Sequence, residues 1–262
     1  MIIVTKFKTI TPETVMGAWN LIQNLPYDPL IDAAVHGYHG QILVDDLNNP
    51  TICGIRIGGV AYFTGDTNHP IAKVLINKLS PWGDVIVNDE NWTKLVKEVH
   101  SGHYKESKRY SFTHEQITPD YLNKYIDSLP NGYTYKKIDR KLAEQLLDTK
   151  WGKYLVCNFK DVDEFLEKGA GFCIIDGDDQ IVSGASSFIY FNGGYEIEVD
   201  THRDYRKQGL ATAASAMFVK YCLENDKIPH WDAENKQSIH LAKKLGFVID
   251  REYKIISVLN NT

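Results

Sequence analysis

Residues 195–221 read YEIEVDTHRDYRKQGLATAASAMFVKY, and they divide into a strand, a short basic loop and a helix. Glu196, Glu198 and Asp200 alternate with Ile197, Val199 and Thr201, and a period of two puts the carboxylates on one face of a sheet. Leu210, Ala213, Ala214, Met217, Phe218 and Tyr221 recur every three or four residues, which buries one stripe of a helix. Between them lie Arg206, Lys207, Gln208, Gly209, Leu210, Ala211 and Thr212. A helix start leaves its first amide N–H groups without intrahelical partners, and the dipole adds partial positive charge there. Glycine and small residues let a phosphate approach those groups, and Arg206 and Lys207 add formal charge beside them. The loop therefore reads as a pyrophosphate seat. An ordinary surface turn is the plain alternative, since R-x-x-G-x-A recurs in unrelated chains.

At these residues the chain resembles the GCN5-related N-acetyltransferases (GNATs), whose acyl-CoA signature is R/Q-x-x-G-x-G/A, with Arg206, Gly209 and Ala211 at the defined positions. A second block, His230 to Asn235 (HWDAEN), then Ser238, and Lys244-Leu245-Gly246-Phe247, is similar to the family's fifth strand, Asn-led helix and closing L-G-F. Its wording looks closest to a bacterial subgroup that includes zwittermicin A resistance acetyltransferases. The likeness to the family covers roughly residues 133–258. It implies an α+β fold, three layers α/β/α around a mixed sheet, and acetyl-CoA as co-substrate; no metal is expected, because the histidines near the cysteines complete no zinc spacing. It further implies that backbone groups of Val199 and Thr201 hold the pantetheine arm, and that Asn235 and Ser238 lie beside the cofactor.

Acetyl transfer to an amine asks for few parts. The amine, with a pKa of about 10, must lose a proton before it attacks, so a carboxylate or a water bound to one helps. Amide donors stabilise the oxyanion, and the thiolate takes up a proton. Glu198 and Glu196 are the candidate bases, against the plainer reading of a solvated acidic face that attracts a cation. A bulge in the strand would exchange the faces and with them the choice between the two. Where the family often has a tyrosine general acid, four residues before the Gly of L-G-F, this chain has Ala242. Ser238 and His240 lie on the same helix and Tyr190 or Tyr195 could come close, but spacing singles out none of them.

The chain has 262 residues, a net charge of −5 and 43% hydrophobic residues. That balance is that of a globular protein with no general attraction to nucleic acid or anionic membrane. The four cysteines form no C-x-x-C pair, and three sit among apolar residues, which reads as free thiols in a reducing cytoplasm. The N-terminal MIIVTK has too short an apolar run for a secretion signal, and no 18-residue apolar stretch occurs.

The remaining pattern predicts a helix over 12–25, strands around 41–46 and within 51–66, a helix over 69–79, a strand DVIVND, a helix over 92–100 and a strand over 109–113. After a turn at Pro130-Asn131-Gly132 the order starts again. VNDENWTKLVKEV in the first half echoes WDAENKQSIHLAKKL in the second. Two tandem GNAT-like units are therefore expected, residues 1–130 and 131–262, the first degenerate because GDTNHPIAKVL has no phosphate loop. The expected partner is a small-molecule amine, and the pattern leaves a homodimer open. A protein lysine or N-terminal acetyltransferase, a non-catalytic acyl-CoA sensor and a plain interaction protein are the alternatives.

Overall fold

The structure, a computed structural model, describes residues 7–259. The expectation for the N-terminal MIIVTK lies outside those residues. The chain forms two compact units: one runs up to Arg109 and resumes at Glu252, and the other spans Tyr110–Arg251.

In the first unit β1 (Lys8–Ile10) is followed by a 3-10 turn at Val15–Ala18, a single helical turn α1 (Trp19–Ile22) and α2 (Pro29–Val35). The single long helix expected over 12–25 is thus broken. Gly17 lies in the 3-10 turn, where an added Cβ would stand 2.5 Å from the Leu47 carbonyl oxygen, so this backbone is held tight against a neighbouring loop. Helix α2, not anticipated, has a regular start: Asp28 accepts from the Leu30 amide and Pro29 occupies the first turn. Strands β2 (Gln41–Val44), β3 (Ile52–Ile57) and β4 (Val60–Gly65) run antiparallel, and β4 pairs parallel with β5 (Gly83–Ile86) across α3 (Ala72–Leu79). Helix α4 (Glu90–Val99), capped by Asp89, packs Trp92 and Val96 with Leu75, Ile76 and Phe63 in the core.

β6 (Tyr104–Thr113) carries the chain into the second unit. There α5 (Pro119–Ile126), β7 (Thr134–Lys137), α6 (Arg140–Leu147), α7 (Val162–Lys168), β8 (Gly171–Ile175) and β9 (Ile181–Phe191) precede residues 195–221. That stretch forms β10 (Gly194–Thr201), a 3-10 turn at Arg203–Tyr205 and α8 (Leu210–Glu224). β11 (Ile228–Ala233), α9 (Lys236–Leu245) and β12 (Val248–Val258) complete the chain.

Two cores flank this unit's sheet. Alternation along β8 sends Cys173 and Ile175 to a cluster with Leu142, Leu146 and Phe165 of α6 and α7, and Ile174 to one with Ala214 and Phe218 of α8. Helix α5 belongs here: Leu122 packs with Val219 and Leu245, and Lys220 Nζ donates to Asn123 Oδ1 at 2.8 Å. The boundary expected at 130/131 therefore falls inside the second unit.

Both units share one plan. Three antiparallel strands lead to a parallel pair, β4 with β5 in one and β10 with β11 in the other. The next strand of each is exchanged along the chain: residues 110–112 of β6 pair with β11, and residues 255–258 of β12 pair with β5.

Candidate acyl-CoA site

The parallel register of β10 and β11 runs from Gly194↔Ile228 to Glu196↔His230. Beyond it Trp231, Asp232 and Ala233 pair with β6 on their other side, while Ile197 to Thr201 stay paired with β9. The two strands therefore part as they leave Glu196 and His230. The register between β10 and β9 shifts at this point, from Glu196↔Ile189 to Ile197↔Ser187, so the extra residue is Phe188 of β9. β10 itself keeps its alternation. Ile197 and Val199 face the cores on the α8 and α9 side, and Glu196 and Glu198 share the opposite face.

The fork leads to the start of α8. Lys207 and Gly209 have φ of 64° and 82°, and Gly209 is the N-cap, with no side-chain acceptor for the first amides of the helix. Ala213 N–H is the first to find a helical partner, the Gly209 carbonyl at 3.0 Å. An added Cβ on Gly209 would meet nothing within 4 Å, so the glycine faces open space. That space is a cleft of about 900 Å³ lined by β10, the 205–212 loop and α9.

Of the residues expected to hold the cofactor, Val199, Thr201, Arg206, Lys207, Gly209, Leu210, Ala211, Thr212, Asn235 and Ser238 line this cleft. Gln208 does not; its side chain accepts a hydrogen bond from Tyr133 Oη at 2.9 Å. Asn235 caps α9 by accepting from the Ser238 amide at 2.8 Å, and Ser238 Oγ accepts from Trp231 Nε1 at 3.0 Å. Arg206 Nε donates to the Thr201 carbonyl at 3.1 Å while its far end stands 3.9 Å from Asp200. Burial pushes the Asp200 carboxyl above the usual range, and the Thr201 amide and Arg206 pull it back.

Lys236, His240 and Lys244 of α9 also line the cleft. Sequence reading passed over the two lysines, though their spacing of four and four places all three on one helical stripe. Arg206, Lys207, Lys236 and Lys244 thus stand around one uncapped helix start, an arrangement that suits a ligand with several phosphates. Among the described residues no group of three or more His, Cys, Asp or Glu side chains is placed to hold a metal ion.

The two candidate bases lie away from this cleft, on the other face of β10. Glu196 is buried and bonded to His230 Nδ1. Glu198 stands opposite Ser186 in register and is an electrostatic neighbour of Cys157. Ala242, where a family tyrosine is usual, is completely buried among Trp231, Leu245 and Phe247. Cys53, Cys173 and Cys222 are buried free thiols, whereas Cys157 is exposed. Burial lifts Cys53 and Cys173 to about 12.

The family model described as GNAT acetyltransferase matches residues 20–256. A curated Bacillus subtilis (strain 168) protein, the uncharacterized N-acetyltransferase YdfB, is 29% identical over 171 residues, which is 64% of this chain and 63% of that protein. The matched region thus spans less than two thirds of that relative's length. A solved GCN5-related N-acetyltransferase-like protein from Streptococcus suis 89/1591 is 32% identical, covers 94% of this chain and 98% of its own, and superposes with a TM-score of 0.84. A tandem GNAT protein from the clavulanic acid biosynthesis pathway, 11% identical, shares the fold across 98% of this chain and 99% of its own, with a TM-score of 0.59.

Proposed function

Since the chain belongs to the GNAT acetyltransferase family, we propose that its second unit transfers an acetyl group from acetyl-CoA to the primary amine of a small molecule. The observation that carries this reading is the helix start at Gly209, uncapped by any side chain and facing a cleft ringed by four cations. Its amides and the charges of Arg206, Lys207, Lys236 and Lys244 bind the phosphates. Backbone groups of Val199 and Thr201 at the fork orient the pantetheine arm, and Asn235 and Ser238 border it from α9. When bound, acetyl-CoA supplies an activated acyl group; the protein supplies position, a dry setting and proton transfer.

The acceptor reaches the fork from the other face, where Glu196, Glu198 and, by alternation on β11, Asp232 stand. Carboxylates there favour a cationic amine such as a polyamine, and the likeness of the HWDAEN block to antibiotic-modifying acetyltransferases supports a small molecule such as an amino-polyol antibiotic. Buried thiols and the absence, among the described residues, of any helix long and apolar enough to cross a membrane are compatible with work in the cytoplasm.

A second reading, an acyl-CoA sensor without turnover, is favoured by Ala242, because the usual acid is missing and its place is filled by core. Thiol release from acetyl-CoA separates the two. Turnover with polyamines, aminoglycosides or amino-polyols supports the enzyme. CoA binding without thiol release from any amine, peptides included, supports the sensor, and release with peptide amines alone moves the acceptor to proteins.

A further inference from the structure

Glu196 ends the part of β10 that pairs with β11, at the point where the two strands diverge, and only 8% of its surface is exposed. Its Oε2 meets Nδ1 of His230 on β11, and Nε2 of the same ring lies 3.1 Å from Ser111 Oγ on β6. Three side chains from three neighbouring strands form one hydrogen-bonded row. The row lies on the acceptor face, because Phe112, Trp231 and Ala233, which alternate with Ser111 and His230, pack into the core on the α8 and α9 side.

A buried carboxylate tends to keep its proton, since burial penalises the charged form, and a protonated carboxyl cannot take a proton from an ammonium. An imidazolium reverses that preference when both its N–H groups find acceptors. Here Glu196 Oε2 stands at Nδ1 and the Ser111 hydroxyl at Nε2, so each can accept from a protonated ring. Resting on the acetyltransferase reading above, we propose that His230, held by Ser111, is a positioning residue that keeps Glu196 ionised as the proton acceptor for the amine.

Glu196 takes one proton from the ammonium, and the freed nitrogen pair forms the N–C bond to the thioester carbonyl carbon. The C–S bond breaks with its electron pair on sulfur. The second nitrogen proton goes to the thiolate, and Glu196 returns its own to solvent.

Other titratable groups surround the pair. Glu198 shares its face of β10, with Cys157 beside it, and Asp232 shares its face of β11. Beyond β6 lies His114, which burial holds below the ordinary imidazole range, with Glu115 opposing and His230 adding to the depression. From β9 the Phe191 ring stands 6.5 Å from the imidazole and perpendicular to it.

The test is the pH profile of kcat/KM for His230→Gln and Ser111→Ala, with CoA-induced thermal stabilisation measured on the same samples. Without the imidazolium, Glu196 ionises at higher pH. The acid limb of His230→Gln is therefore expected to move up by about one pH unit or more, roughly tenfold in the ionised fraction at a fixed pH on that limb. Activity should recover at alkaline pH, and the CoA response should stay unchanged. Ser111→Ala should move the limb less, in the same direction, and it carries the test alone if His230→Gln does not fold. An acid limb unmoved in every variant that folds and binds CoA overturns the proposal. A wild-type protein that neither binds CoA nor releases thiol instead overturns the acetyltransferase reading on which it rests.

Discussion

Ala242 shows how much chemistry one side chain can remove. Its Cβ is fully buried between Trp231, Leu245 and Phe247, so the hydroxyl usual at this place in the family has no volume here. Restoring it is expected to cost stability: Ala242→Tyr forces a ring into a filled core, a penalty of roughly 1–3 kcal/mol or more. Thermal unfolding checks this, and the variant is expected to melt lower without gaining turnover. A stable variant with faster thiol release would show that the site has space for an added acid. The departure at this position was plain from the sequence, because it depends only on counting back from Gly246. The burial that makes it irreversible was not, since Trp231 and Phe247 come from opposite sides of the same helix in the sequence.

At the scale of elements, the strand-loop-helix around Gly209 was the most legible part of the chain. Its features are local: period-two alternation, a glycine at a helix start, a small-residue first turn. The structure keeps the positive φ that favours glycine at this N-cap, and Lys207 adopts a similar backbone with a side chain. Gly209→Ala is expected to lose about 1–2 kcal/mol from the left-handed backbone alone, since no neighbour crowds the new methyl. Unfolding in denaturant measures that loss; no change in midpoint would mean that the loop relaxes elsewhere. What stayed hidden was non-local. The row from Glu196 through His230 to Ser111 joins residues 34 and 119 positions apart, and no spacing rule connects them. Gln208 likewise turns to Tyr133, a partner 75 positions away.

For the whole molecule, the repeat was legible but its partition was not. Two passes of the same strand and helix order predict tandem units, and both passes do form an antiparallel triplet followed by a parallel pair. The exchange of β6 and β12 hides from sequence because each strand has the same alternation whichever sheet it joins. Ending the chain at Arg251 is therefore expected to damage the first unit, which loses the fully buried Ile255 and Ile256 at roughly 1.5–3 kcal/mol each. Limited proteolysis should then cut before residue 109 first. An unchanged cleavage pattern would contradict the exchange.

The most direct measurement is calorimetric titration of the protein with CoA, beside the same titration of a Gly209→Val, Arg206→Ala double variant. Saturable one-site binding by the wild-type chain, lost or weakened at least tenfold in the variant while its fold is retained, is the expected result. No heat of binding by the wild-type chain at millimolar CoA, or equal affinity in both proteins, would contradict a phosphate seat at the start of α8.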